Sequence, residues 1–420
     1  MISKIKTLEP LKLLISLWIL LLPWDLYNGF MGTSVTVMTL WWLVIGNKKG
    51  YFCKLKKVVL NKPLVFFISF ILYAYLSLLW SNNFEHGLVE LKYYKYYWAL
   101  IPLIYTVFSK DDLKIAFSAL ILSFGMYAVF SLLIFFELIE IEGSNRADPR
   151  GMLAYANVTC YMAISALYSF YFFLLEKSNK IKYAFLFVSF ISLCALFVNN
   201  GRSAQIAFLG TILIVFIFYF KHMLKVKYIA LFSVFLIFLG AVFYYNPNRL
   251  DQFKRGYNEL VNVFEKNDFN GSWGVRAYMW LAAADSIPRH PVFGAGVGDT
   301  IDELIEFGKK NPSKAANVTH LRTYHNQHLD YLTKYGIAGY ILFLSGIVSL
   351  LIQLYKNKSC FFPLALMFFS MILIDSMGST VLAMKPFHII YILVVVMLAI
   401  ASEKQLQCEE RDLNPHGFTH

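Results

Sequence analysis

The chain has 420 residues, 58% of them hydrophobic and 15% charged, with a formal net charge of +12. A soluble domain of this length needs more charged surface to stay in solution, so composition excludes one. The positive excess lies in short connections between apolar runs, where lysines set membrane topology, and does not point to nucleic acid.

Apolar stretches recur along nearly the whole chain, so the bilayer acts as the solvent. Backbone polar groups in lipid must pair within their own segment, which leaves helices or a closed barrel. Continuous apolar runs without in/out alternation exclude the barrel. The expected fold is an all-α polytopic membrane protein of about 12 transmembrane helices. The spans are expected at roughly 11–29, 31–46, 64–80, 94–108, 113–139, 152–175, 182–198, 203–220, 227–245, 337–355, 361–380 and 386–401. The first run lacks a clear small-residue cleavage site and another span follows at once, so it reads as a retained helix.

Lysines mark every second connection. Lys4, Lys6 and Lys12 precede the first span, and Lys48, Lys49, Lys54, Lys56, Lys57 and Lys62 precede the third. Lys110 and Lys114, then Lys177, Lys180 and Lys182, then Lys221, Lys225 and Lys227, then Lys356 and Lys358 follow the same alternation. The alternate short loops hold few positive residues, which predicts cytoplasmic termini and puts residues 246–336 on the opposite side. The expected organisation is therefore a bundle of about nine helices over 1–245, a large, partly helical periplasmic loop over 246–336, further spans over 337–401 and a cytoplasmic tail over 402–420. Cys53, Cys160, Cys194, Cys360 and Cys408 have no metal-type spacing, and Cys160 and Cys194 read as small buried hydrophobes.

Three residues on the outer side draw attention. Arg202, in NNGRSAQ, stands where the seventh span turns into the eighth; an arginine there either snorkels or pairs with an anion. Arg276, in GSWGVRAYMW, reads by itself as a surface arginine of an amphipathic helix sooner than as a binding group. His325, in YHNQHLDYL, stands just before the tenth span, and a neutral imidazole there suits a general base. His328 is three residues on and would share a helix face with His325, but neither an HExxH pattern nor a carboxylate pair argues for a metal. Asp299, Asp302, Glu303 and Glu306 fall at helical spacing and read as a solvated face, and Gly294, Gly296 and Gly298 as a tight turn. Chemically, two arginines can hold a diphosphate and stabilise charge growing on it, while a histidine takes a proton from an attacking hydroxyl.

The motifs also carry a resemblance. Arg276 and Trp280 lead to His290-Pro291-Val292-Phe293-Gly294-Ala295-Gly296, which is similar to an "hPxxGxG" turn, and His325-Asn326-Gln327-His328-Leu329 with Gly336-Ile337-Ala338-Gly339 is similar to an "HNxxL…GxxG" motif. Together with Arg202 in GRSA, this order resembles the O-antigen ligase and polymerase superfamily of bacterial envelopes. Residues 150–157 match a further outer-loop segment loosely, without its second Asn-Pro element.

The resemblance implies a GT-C-like membrane glycosyltransferase of a Gram-negative inner membrane. It implies an undecaprenyl-diphosphate-linked O-antigen donor and an inverting transfer needing no metal or cofactor. Arg202 and Arg276 would contact the diphosphate, His325 would activate the acceptor, and Arg150, Asn157, Arg289, Arg322, Asn326 and His328 would be supporting residues. Among members, the HNxxL histidine matches ligases better than polymerases, and protein O-oligosaccharyltransferases often carry sequence beyond a chain of this size. The expectation is a ligase with lipid A–core as acceptor, ahead of a polymerase. A glycolipid flippase would need charge lining a path through the bundle, whereas Asp375 and Glu137 stand near span ends.

Overall fold

The computed structural model describes residues 9–24, 29–223, 240, 248–312 and 323–403. Among these, helices account for the regular structure, and the sole β features are two isolated bridges within residues 141–148. The protein is an all-α polytopic membrane protein.

In chain order the helices begin with α1 (Pro10–Leu21), α2 (Phe30–Ile45), α3 (Leu55–Leu60), α4 (Lys62–Leu76), α5 (Phe84–Glu90) and α6 (Lys95–Val107). Next come α7 (Lys110–Phe135), α8 (Tyr155–Leu175), α9 (Asn179–Val198), α10 (Arg202–Met223), α11 (Asn248–Lys266), α12 (Gly271–Ser286) and α13 (Thr300–Lys310). The last are α14 (Gln327–Lys356), α15 (Phe362–Asp375) and α16 (Lys385–Ala401). Among the described residues, six helices are long and apolar enough to cross a membrane by length and composition, and four more are apolar but shorter. The expected ninth span, 227–245, lies outside the described residues apart from residue 240. The fourth coincides with α6, whose 13 residues extend only about 20 Å, short of a hydrocarbon layer about 30 Å thick.

Local signals fix where these helices start. Ser109 and Asp112 form a reciprocal capping box on α7. The Asn61 side chain accepts from Leu64 N ahead of α4, with Pro63 in its first turn, where a missing N–H costs nothing. Helix α16 is buried continuously from Phe387 to Ala401, so it is the axis of the bundle, and α4, α6, α7 and α14 contact it. Outer helices keep large apolar side chains exposed, Val44 of α2 at 82% among them, as a lipid-facing surface requires.

The connections sort into two ends. At one, the Lys54 ammonium bonds Thr106 O, Lys114 pairs with Glu176, Tyr105 bonds Glu403, and Asn357 bonds Ser402 O. At the other, the 147–153 and 199–202 loops join through Asn200 and Ala147 O, and the 376–379 loop accepts from Gln327 N. Helices α11, α12 and α13 stand at this second end with a small core of their own, including Phe269, Tyr278, Met279, Phe307 and Tyr324.

Candidate functional site

Arg202 opens α10, and the turn before it is held from three sides. The Asn199 amide donates to Ser131 Oγ, the Asn200 amide to Ala147 O, and the Gln205 amide to Asn199 O. Thr159 of α8 leaves no room for a side chain at position 201, since a Cβ there would lie 2.0 Å from its hydroxyl. The Arg202 guanidinium therefore reaches out from a rigid turn toward α11, with Nη1 3.8 Å from where a Cβ on Gly256 would stand. It interacts electrostatically with Arg276, Glu259, Tyr155 and Arg255.

Arg276 lies one turn into α12. Its Nη1 donates to Ser272 O at 2.9 Å and to Ser272 Oγ, and its guanidinium sits 5.6 Å from the centroid of the Trp273 ring. These are neutral contacts, so the cation keeps its charge for a ligand. Among the described residues its buried Nε–H has no acceptor.

His325 is not on the helix that follows it. Its φ of +45° is left-handed, a conformation that costs a non-glycine residue of order 1–3 kcal/mol and recurs at functional sites. The strain is held by the next two residues. The Asn326 side chain caps α14 by accepting from His328 N and Leu329 N, and Gln327 N donates to Ser376 O and Ser379 O. Burial, and the positive charge of Arg276 nearby, push the His325 imidazole below its usual pKa, so it stays neutral at physiological pH. Arg202, Arg276 and His325 are thus gathered at one end of the bundle, linked through Arg276.

A backbone seam supports this cluster. Ala295 N bonds Thr333 O, Gly296 N bonds Lys334 O, Ile337 N bonds Pro291 O, and Ala338 N bonds Val292 O. The seam explains two glycines of the sequence motifs. Gly294 (φ +79°) and Gly336 (φ +61°) meet back to back, where a Cβ on either would lie 2.5 Å or less from backbone of the facing segment. Gly336 is also where α14 bends, at ψ −169°, so the expected tenth span is the second part of a longer helix. Beneath the seam, the buried Lys334 ammonium pairs with Asp330 at 2.7 Å and Glu90 at 2.8 Å, tying α14 to α5.

The remaining expected residues take different places. Arg289 pairs with Asp285, Glu303 and Glu306, clamping α12 to α13. Asp299 and Glu303 are 2% and 6% exposed, so these two are not the solvated face expected: Asp299 accepts from Asn82 N and Asn83 N, and Glu303 holds Arg289. His328 donates from Nε2 to Leu373 O, leaving Nδ1 to accept from Tyr340, so both ring nitrogens are used and its ring does not pair with His325. Arg150 folds onto its own loop through Gly143 O and Asp148, and Asn157 is buried in the first turn of α8. Arg322 lies outside the described residues.

Sequence reasoning missed Arg255 and Glu259, which join Arg202, and it left Asp375 at a span end. Asp375 is 1% exposed and accepts from Ser379 Oγ at 2.6 Å, from Cys160 Sγ and from Ser203, the neighbour of Arg202. It therefore braces both the arginine turn and the loop that holds Gln327.

Residues 187–344, which contain Arg202, Arg276 and His325, match the family model described as O-antigen ligase. Over this segment the chain is similar to the O-antigen ligase family. Members of that family are glycosyltransferase-like ligases and polymerases. A stretch of 100 residues is also 32% identical to an uncharacterized protein of Haemophilus influenzae, covering 24% of this chain and 25% of that one. The chain thus spans about a quarter of that relative's length.

Proposed function

We propose that the protein is an O-antigen ligase, transferring a glycan from undecaprenyl diphosphate to a sugar hydroxyl of lipid A–core at the periplasmic face of an inner membrane. The observation that carries the reading is the convergence of Arg202, Arg276 and a neutral His325 on one end of a membrane bundle. In this mechanism the two guanidinium groups grip the donor diphosphate by charge-assisted hydrogen bonds. His325 accepts the proton of the acceptor hydroxyl as its oxygen attacks the anomeric carbon. The carbon–oxygen bond to the diphosphate breaks, inverting that carbon, and the arginines stabilise the charge that collects on the departing lipid diphosphate. Both termini would then lie in the cytoplasm, with residues 246–336 as the periplasmic part.

The test is transfer by purified, reconstituted protein given a lipid diphosphate-linked glycan and lipid A–core, with wild type and His325→Ala side by side and products resolved by gel and mass spectrometry. Glycan on lipid A–core from wild type alone is the expected result. Lengthened lipid-linked chains with none on lipid A–core make the protein a polymerase, and full activity of a correctly inserted His325→Ala removes the proposed base.

A further inference from the structure

The arginine cluster contains a carboxylate that the transfer scheme does not use. Glu259 of α11 reaches the first turn of α12, where its Oε2 accepts from Trp273 N at 2.8 Å. The carboxylate packs on Gly271, where a Cβ would come within 2.6 Å of its Cδ and 2.9 Å of both oxygens. One turn back on α11, Gly256 leaves space for the Trp273 indole, whose Nε1 would lie 2.7 Å from a Cβ there. That same indole carries the Arg276 guanidinium on its ring. Glu259 thus anchors the tryptophan under one arginine while interacting electrostatically with the other, Arg202, beside Arg255.

Arg202 and Arg276 repel one another when no ligand lies between them, and a fixed carboxylate offsets that repulsion. A diphosphate that enters supplies the same negative charge, and from then on the carboxylate opposes it. The opposition grows during transfer, because the lipid diphosphate that leaves has lost an ester bond and carries more negative charge than the donor did. We infer that Glu259 is the resident counter-charge of the diphosphate site, holding the arginines in place while the site is empty and favouring release of the diphosphate product. The inference rests on the donor-site reading above and concerns the regulation of that site.

Two variants separate charge from hydrogen bonding. Glu259→Gln keeps an oxygen for Trp273 N but removes the charge, whereas the similarly sized Glu259→Met removes both. The assay is displacement of a labelled lipid diphosphate from detergent-solubilised full-length protein by inorganic pyrophosphate at fixed ionic strength, with Arg276→Ala and Arg202→Ala alongside. The expected result is about tenfold tighter pyrophosphate binding by Glu259→Gln, the order of effect for removing one like charge from a partly screened site. Glu259→Met should shift the same way, and if only one of the two folds, that one decides. Equal or weaker binding by a folded Glu259→Gln, with both arginine variants impaired, overturns the counter-charge and leaves the donor site standing. Arginine variants that bind like wild type overturn both.

Discussion

Replacing Gly336 by alanine tests the seam that supports His325. At φ +61° and ψ −169° the residue occupies backbone space open essentially to glycine alone, so an L side chain adds about 1–3 kcal/mol of strain. The new Cβ would lie 2.3 Å from Val292 O and 2.5 Å from Gly294 N, and neither is a flexible side chain that can turn away. The two backbones must part, weakening the bonds from Ile337 N to Pro291 O at 3.0 Å and from Ala338 N to Val292 O at 3.1 Å. At about 0.5–1.5 kcal/mol each, these bring the expected cost to about 2–6 kcal/mol. Gly143→Ala is the control, since Gly143 also has positive φ (+73°) but has nothing within 4 Å of its missing Cβ. Thermal unfolding in detergent and glycan transfer are measured on both variants. Gly336→Ala should melt well below the control and lose transfer, because His325 leads directly into the helix that the seam positions. If the two variants melt alike, the close approach carries no stability and the seam does not support the site.

The other predictions concern the charged groups. With His325 held below its usual pKa of about 6.5, the neutral form is the base, so kcat/KM should fall only as pH drops through a value below 6.5. A limb at or above that value contradicts the assignment. Arg276→Met removes the second cause and leaves burial, so the imidazole should titrate at higher pH than in wild type when followed by NMR, and an unchanged titration refutes the coupling. Arg202→Lys and Arg276→Lys keep the charge but lose the planar fork, so each should recover less than about a tenth of wild-type transfer; full rescue shows that charge alone suffices. Arg289→Met should lower the melting temperature through loss of its pairs with Asp285, Glu303 and Glu306, and steady-state donor affinity should stay near wild type. Asp375→Asn turns an acceptor of the Ser379 hydroxyl into a mixed group and should reduce both stability and transfer, read by the same two assays.

The helices were legible because lipid dictates them. A segment that cannot bond to solvent must be a continuous apolar helix, and such runs stand out whatever packs around them, as α7, α8 and α9 do. The bend at Gly336 was not legible in the same way. A glycine next to an apolar run is compatible with helix, turn or close approach, and only the facing Val292 and Gly294 make the positive φ necessary. Asp299 and Glu303 misled for a related reason. Their spacing is that of an exposed helix face, but the 81–83 loop and Arg289 come from elsewhere in the chain to bury them.

The arginines show what separates a binding group from a structural one. Arg276 and Arg289 both lie in the matched family segment, and nothing local tells them apart. Their partners do. Arg289 meets three carboxylates and its charge is spent on holding α12 to α13, whereas Arg276 meets a serine and an indole and its charge is left over. A cation kept largely among neutral groups retains the attraction an anionic ligand needs, and a cation surrounded by carboxylates does not. Glu259 stands between these cases. Its carboxylate, beside Arg202 and under the Trp273 that carries Arg276, steadies the empty site without closing it to a diphosphate. No pattern around position 259 could announce that role, because it depends on α10, α11 and α12 meeting at one end of the bundle.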